Sequence, residues 1–301
     1  MSRHVPVLLR EVVDSLQLKA GAKVIDCTLG DAGHSEVILE KIGPKGKLLG
    51  IDADPESLFR AKRNLYNFGS QVIFVRDNFV NLKEIIKANN FENADAILID
   101  LGWSTPQFKE RSRGFSFEGD EPLDMRYNGV SGESAADVIN QYSEAELEKI
   151  LRFYGEEKLS REIAKEIVGS RAVNKIEHTA PLVEIILGVY RRKLKTEKEI
   201  PWVGGIHPAT KVFQALRIAV NSELEVIRQV LPQAIESLSV GGRLAVITFH
   251  SLEDRIVKQF FVKNQNKTLK IINKKPIIAS EEEVENNPSS RSAKLRIIEK
   301  L

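Results

Sequence analysis

The residues best suited to chemistry in this 301-residue chain fall in three short stretches. The first is Asp26-Cys27-Thr28-Leu29-Gly30-Asp31-Ala32-Gly33-His34-Ser35, at the end of an apolar run, and a second acidic residue, Asp52, closes the next such run. Gly30 and Gly33 let backbone approach a ligand, and a carboxylate at the end of a second strand can accept hydrogen bonds from both hydroxyls of a ribose. Asp31 separates the candidate nucleotides. A pyrophosphate would meet its carboxylate where bare N–H groups are needed, a repulsion of about 4 kcal/mol at 4 Å and an effective dielectric of about 20. A sulfonium with a zwitterionic amino-acid tail meets no such repulsion. The loop also lacks the middle and third glycines of G-x-G-x-x-G, which demotes a dinucleotide. These residues predict a site for S-adenosylmethionine.

The second stretch, Asp100-Leu101-Gly102-Trp103-Ser104-Thr105-Pro106-Gln107, follows a fourth apolar run and is where substrate would meet the donor. Methyl transfer from a sulfonium is an in-line displacement and needs chiefly a positioned nucleophile. Were that nucleophile an exocyclic amine, acceptors such as Asp100, Ser104 and backbone carbonyls would orient its hydrogens, and Trp103 would offer a stacking surface for a flat base. The third is Phe249-His250-Ser251-Leu252-Glu253-Asp254-Arg255, in which His250 faces substrate or serves as a structural loop histidine, and Ser251 caps a helix with Asp254 in the capping-box position. Between them lie Arg113 to Phe117 and Pro122-Leu123-Asp124-Met125-Arg126, a dense mix of aromatic and charged residues in a long loop. Asp100, Ser104, Asp124 and His250 are the candidate catalytic residues. Phe79, after the third run, would cover an adenine face or simply fill core.

Elements must hold these residues in register. A helical pattern over Val5 to Leu18 precedes apolar runs at Lys23 to Cys27, Lys47 to Asp52, Val72 to Arg76 and Ala94 to Asp100, with helical patterns between them. That alternation predicts a parallel α/β sheet. Residues 109–204 then read as mostly helix, including Glu144 to Phe153 and Lys158 to Val168. Two helices (Lys211 to Val220, Glu223 to Leu238) and a turn at Val240-Gly241-Gly242 lead to a strand at Arg243 to Phe249. A helix at Leu252 to Asn264, a strand at Leu269 to Asn273, a polar acidic loop from Ser280 to Ser290 and a strand at Ala293 to Glu299 finish the sheet. The chain is thus predicted to fold as a discontinuous α/β domain (1–108 and 205–301) interrupted by a helical domain (109–204).

Charged residues make up 29% and the net charge is +2, so local charge decides any polyanion site. From Arg255 onward there are eleven Lys or Arg against five Glu, four of them clustered at Glu281, Glu282, Glu283 and Glu285. Lys274, Lys275, Arg291, Lys294 and Arg296, with Arg191, Arg192, Lys193 and Lys195 in the insertion, are candidate phosphate contacts. The single cysteine, Cys27, reads as core. No signal segment opens the chain and no apolar run suits a bilayer, which predicts a soluble, cytoplasmic protein with no membrane partner. No cluster has metal-ligand spacing, so no metal is expected.

The blocks HVPVLL, CTLGDAGHS, DLGWSTPQF, RGFSF, PLDMR, FYGEE, HPATKVFQALRIAVN, GGRLAVITFHSLEDRIVK and RSAKLR span the chain. In them it resembles the bacterial ribosomal RNA small subunit methyltransferase H family, which methylates the exocyclic N4 of a cytosine in the decoding region of 16S rRNA. The resemblance implies a class I S-adenosylmethionine-dependent methyltransferase fold, Rossmann-like with a mainly parallel sheet and an inserted helical domain for substrate recognition. It implies donor contacts at Ala32, Gly33, His34, Asp52, Phe79, Asp100 and Gln107, and 16S rRNA within the small ribosomal subunit as partner; a homodimer is an allowed assembly. Ala32 stands where the family usually has glycine, Trp103 and Thr105 where it has Val and Ser, Tyr127-Asn128 where it has Met-Asp, and Lys211 and Ser289 replace frequent arginines. The rival readings are an NAD-dependent oxidoreductase and a non-catalytic RNA-binding assembly factor.

Overall fold

The computed structural model describes residues 5–101, 112–127, 129, 131–196 and 206–301. The chain divides into two compact units, Met1–Ser104 with Leu224–Leu301, and Thr105–Glu223.

The first unit is built on seven strands: β1 Lys23–Asp26, β2 Lys47–Asp52, β3 Val72–Arg76, β4 Ala94–Asp100, β5 Leu238–Thr248, β6 Leu269–Ile271 and β7 Lys294–Lys300. Their order is β3-β2-β1-β4-β5-β7-β6. The first five are parallel, whereas β7 runs antiparallel to both β5 and β6. Both faces of the inner strands are apolar: Val24 and Ile25, Leu48 and Leu49, and Ala96 to Ile99 are all buried. A sheet of that kind is stable only when covered on both sides. On one face Val24, Leu48, Leu98, Ala245 and Leu295 join a core with Val12 from helix α1 (Leu9–Ser15) and with Ile38, Leu39 and Ile42 from α2 (Gly33–Ile42). α3 (Pro55–Asn64) and α4 (Leu82–Ala88) link the following strands, and α10 (Glu223–Ser237) leads into β5.

Strand order reverses between β1 and β4, where ligands of such sheets bind. Parallel pairing carries Asp26, Asp52 and Asp100 to one carboxyl edge, with Asp52 opposite Arg76 and Asp100 opposite Ile247.

The helical unit contains α5 (Ala135–Gln141), α6 (Glu144–Tyr154), α7 (Ser160–Arg171), α8 (Thr179–Leu194) and α9 (Ala209–Asn221). Ser134 with Asp137 and Ser143 with Glu146 form capping boxes that fix two of the helix starts. α9 belongs here and not to the sheet unit, so the boundary expected at 205 lies at 223. Its buried Val212, Phe213 and Leu216 form an apolar face packed largely against α6, which a reading of sequence order could not assign.

Three other expectations change. α1 is shorter than Val5 to Leu18, because Leu8 enters it in the left-handed region (φ 53) and Gln17 leaves it likewise (φ 48). β5 starts at Leu238, taking the expected turn into an irregular stretch where pairing shifts between Ala94 and Ala96. The acidic loop contains helix α12 (Glu281–Asn286), capped by Ser280 accepting from the Glu283 N–H at 3.1 Å.

Candidate active site

The loop after β1 is organised by carboxylates. Asp26, 1% exposed, accepts from the Ser35 hydroxyl at 2.6 Å and from the Thr28 N–H at 3.0 Å. Burial raises its carboxyl above the ordinary range, against the lowering effects of Ser35, His34 and Thr28. Thr28 also accepts, through its Oγ1, the N–H of Asp100 at 2.7 Å, and the Leu101 N–H donates to the Ile247 carbonyl at 3.0 Å. β1, β4 and β5 are thereby tied at the edge where order reverses.

Asp52 closes the other side. Its Oδ2 accepts from the Gly30 N–H at 2.8 Å and its Oδ1 from the Asp54 N–H at 2.9 Å. Gly30 has φ +52, a conformation that favours glycine, and among the described residues a side chain there would meet only the Thr28 carbonyl at 3.9 Å. The main chain is therefore open to a ligand on that side. Burial pushes the Asp52 carboxyl up to about 6, despite the two amide hydrogen bonds that lower it. The Asp77 N–H donates to the Asp52 carbonyl at 3.2 Å, bringing the turn before half-buried Phe79 to the end of β2.

Asp31 needs a correction. Its Oδ1 pairs with Arg60 Nε of α3 at 2.6 Å, and the Asn64 side chain donates to its carbonyl at 2.9 Å. A carboxylate so compensated is not the bare charge that the sequence argument set against a pyrophosphate. The choice of donor rests instead on Asp26, Asp52 and Asp100 along the same edge.

Ala32 and Gly33 open α2. Ala32 sits at φ 66 with its side chain buried, and Gly33 lies so close to Pro6 that a Cβ there would fall 2.3 Å from Pro6 Cγ. His34 is 7% exposed, its Nε2 is 3.0 Å from the Val7 carbonyl and its Nδ1 is 3.8 Å from Asp100 Oδ2. The carbonyl requires Nε2 to carry a proton. Burial lowers the imidazole's proton affinity, so the ring is neutral near pH 7 and points inward. What this turn offers a ligand is backbone N–H, since no side chain caps the helix.

His250 follows β5 as the N-cap of α11 (Ser251–Asn264), so Glu253 holds the box position and not Asp254 as expected. Glu253 Oε2 accepts from the Phe249 and His250 N–H groups at 2.8 and 3.2 Å. Its Oε1 lies 3.0 Å from His250 Nε2, yet neither buried ring nitrogen achieves hydrogen-bond alignment with a described residue. Asp254 instead forks with Arg296, Nε to Oδ1 at 2.6 Å and Nη2 to Oδ2 at 3.1 Å. Arg296 is 6% exposed, which removes it from the phosphate contacts.

Asp124 belongs to the helical unit. Its carboxylate is forked by Arg126, at 3.0 Å from Nε and 2.6 Å from Nη2. Partial burial acts to raise it, but the Arg126 hydrogen bonds and charge outweigh that and hold it below the usual range. The Tyr127 hydroxyl donates to Glu223 at 2.7 Å, and Glu223 also pairs with buried Arg217 at 2.7 Å. Trp103, Ser104 and Gln107 lie outside the described residues. Thr28 and Arg60 went unnoticed as site-building residues in the sequence, because neither signals its partner locally. Cys27 is buried, with its thiol pushed well up by desolvation, as a core residue should be.

Among the described residues, no helix is long and apolar enough to cross a membrane. The model of the MraW methylase family matches residues 1–301. Ribosomal RNA small subunit methyltransferase H of Clostridium botulinum (strain Kyoto / Type A2) is 45% identical, with 99% of each chain covered. The proteins of the same name from Trichlorobacter lovleyi (44%, covering 99% of this chain and 98% of that one) and Clostridioides difficile (43%, covering 99% of each) are similarly close. With its whole length matched and its carboxylates gathered where the sheet reverses, the chain belongs to the MraW methylase family.

Proposed function

We propose that this protein transfers a methyl group from S-adenosylmethionine to the exocyclic N4 of a cytidine in the decoding region of 16S rRNA, acting on the small ribosomal subunit in the cytoplasm. The observation that carries the reading is the end-to-end match of both units to a methylase family whose close relatives are named for small-subunit ribosomal RNA.

The described residues fit such a donor. The Asp52 carboxylate, held beside the Gly30 main chain, supplies ribose acceptors, and Phe79 takes the adenine face by resemblance. The uncapped N–H groups of Gly33 and His34 suit the carboxylate of an amino-acid tail. When bound, the donor supplies an electrophilic methyl on a sulfonium, and the surrounding carboxylates favour that positive charge. Gln107 completes the donor set by resemblance.

Asp100 is the acceptor best placed to orient the amine hydrogens and to draw off the proton released as the new carbon–nitrogen bond forms. Its main chain is fixed by Thr28, which limits its freedom to drift. His250 is a second candidate, since its buried ring nitrogens have no aligned partner among the described residues. Asp124 is engaged by Arg126 and suits loop anchoring better than proton transfer. Ser104 completes the candidate set. The helical unit serves substrate recognition.

Incubation with labelled donor and unmethylated small subunits, followed by digestion to nucleosides, should yield labelled N4-methylcytidine. Label on another nucleoside alone, or on protein, would refute the substrate assignment. Asp100→Ala should weaken donor binding and lose turnover even at saturating donor; unchanged turnover would favour another acceptor.

A further inference from the structure

We propose that the outer end of the sheet, where Lys274, Lys275, Arg291 and Lys294 gather, holds the phosphate backbone of the substrate RNA. This rests on the RNA reading above and gives that substrate a place on the methyltransferase unit.

Topology assembles the cluster. β6 runs parallel to β5, so the chain leaving it travels toward the carboxyl edge, and Lys274 and Lys275 follow three and four residues past its end. Asn273 fastens that segment to β7, its side chain donating to the Leu295 carbonyl at 2.9 Å and accepting from the Ile297 N–H at 2.7 Å. Arg291 lies in the turn Pro288–Ser292 just before β7, and Lys294 is the first residue of that strand, opposite Thr248 at the end of β5. Adjacent strands lie about 4.8 Å apart. Cations on these two neighbouring strand ends are therefore rooted about 5 Å apart, close enough to bear on successive phosphates of one RNA strand.

The charges are available. Lys274, Lys275 and Arg291 are exposed, and none makes an ion pair with a described residue. Lys294 is 3.9 Å from Asp254, whose carboxylate is already forked by Arg296. The acidic helix α12 lies toward the chain's beginning: Glu283 accepts the Leu8 N–H at 2.7 Å, and Asn287 donates to the Val5 carbonyl at 3.0 Å. Glu283 is thus engaged by the main chain at the start of α1 rather than by these cations. Such a rim, beside the carboxylate edge but outside it, attracts a phosphate chain without placing cations against the methyl donor.

The test compares wild-type protein with Lys274→Ala/Lys275→Ala/Arg291→Ala and with Lys19→Ala/Lys45→Ala/Lys87→Ala. The second variant removes three exposed lysines that lie away from this rim, before β1, before β2 and in α4. Binding of a 16S decoding-region RNA fragment is measured from 50 to 200 mM salt, alongside S-adenosylmethionine affinity, melting temperature and turnover on small subunits. The rim variant should bind RNA about tenfold or more weakly near 150 mM salt. Its log–log salt slope should be shallower by about 2 to 3, at about 0.7–0.9 per phosphate contact, with KM raised, kcat and donor affinity unchanged and melting unaltered. Equal behaviour of the two variants, or an unchanged slope in the rim variant, overturns the proposal. Wild-type protein that binds RNA with this rim dependence but methylates no small subunit would sink the methylation reading and leave the rim standing; wild-type protein that does not bind RNA sinks both.

Discussion

The Gly30 N–H donates to Asp52 Oδ2 at 2.8 Å, so the loop that follows the first strand is folded around the side chain that ends the second. Donor loop and ribose acceptor are one construction. A change at either residue should be felt at both, and the first expectation follows from the state of that carboxyl.

Burial pushes Asp52 up to about 6. If ribose hydroxyls donate to its ionised form, affinity for S-adenosylmethionine should rise between pH 5 and 7 with a midpoint near 6, then level off. Stability of the free protein should move the other way. An unfolded Asp titrates near 3.9, so the folded state binds the extra proton between about pH 4 and 6; this contribution is full below about 4 and lost as pH rises through about 6. Asp52→Asn should abolish the step and weaken the donor roughly 10- to 100-fold, the equivalent of about one charge-assisted hydrogen bond. Calorimetric titration across pH 5–8 reads both effects.

A methyl at position 33 has nowhere to go. Gly33→Ala would set a Cβ 2.3 Å from Pro6 Cγ, and overpacking of this kind typically costs about 1–3 kcal/mol. The strain should be shared, so Pro6→Ala in the same chain should restore most of the loss. Urea unfolding of the two single variants and the double one measures the coupling; additive losses would mean that Pro6 is not the obstacle.

Ala32 occupies a left-handed backbone position, φ 66, with its methyl fully buried. Ala32→Gly relieves roughly 1–2 kcal/mol of strain, but it gives up a buried methyl worth about 0.8 kcal/mol and frees the unfolded chain by a similar amount. The midpoint of thermal unfolding should stay within a few degrees of wild type. Ala32→Val adds a β-branched side chain where none fits and should melt well below it. Equal melting of all three would show that the strain is absent.

Arg296 and Asp254 are a scaffold pair, with side chains 8% and 15% exposed. Arg296→Ala leaves a carboxylate with Lys294 as its remaining cation among the described residues, and should destabilise by about 3 kcal/mol. The salt dependence of RNA binding should not change. A shallower slope in this variant, at temperatures where it remains folded, would return Arg296 to the phosphate contacts.

The strands were legible because burial on both faces leaves near-continuous apolar runs: β2, β3 and β4 begin and end where the sequence predicts. Asp52 and Asp100 were legible for the same reason, each standing at the end of such a run. What depended on distant partners was not. Nothing near Asp31 announces Arg60, twenty-nine positions on, and nothing in the apolar pattern of α9 says that it packs against α6. The cap of α12 was present as Ser280 followed by Glu283, but a run of four acidic residues masked it. At the start of α11 the sequence favours Ser251, the commoner cap type, whereas Glu253 fixes the box one position earlier, on His250.

The Thr28 hydroxyl accepts the amide of the last residue of β4. Amides at strand ends commonly exchange with solvent through local fraying, whereas this one is pinned across the gap between β1 and β4 beside another hydrogen-bonded amide, that of Leu101. Its exchange should follow opening of the sheet itself. The carboxylate rim is then part of the cooperative unit rather than a decoration on it, and an incoming donor meets a surface already in place, with little ordering entropy left to lose.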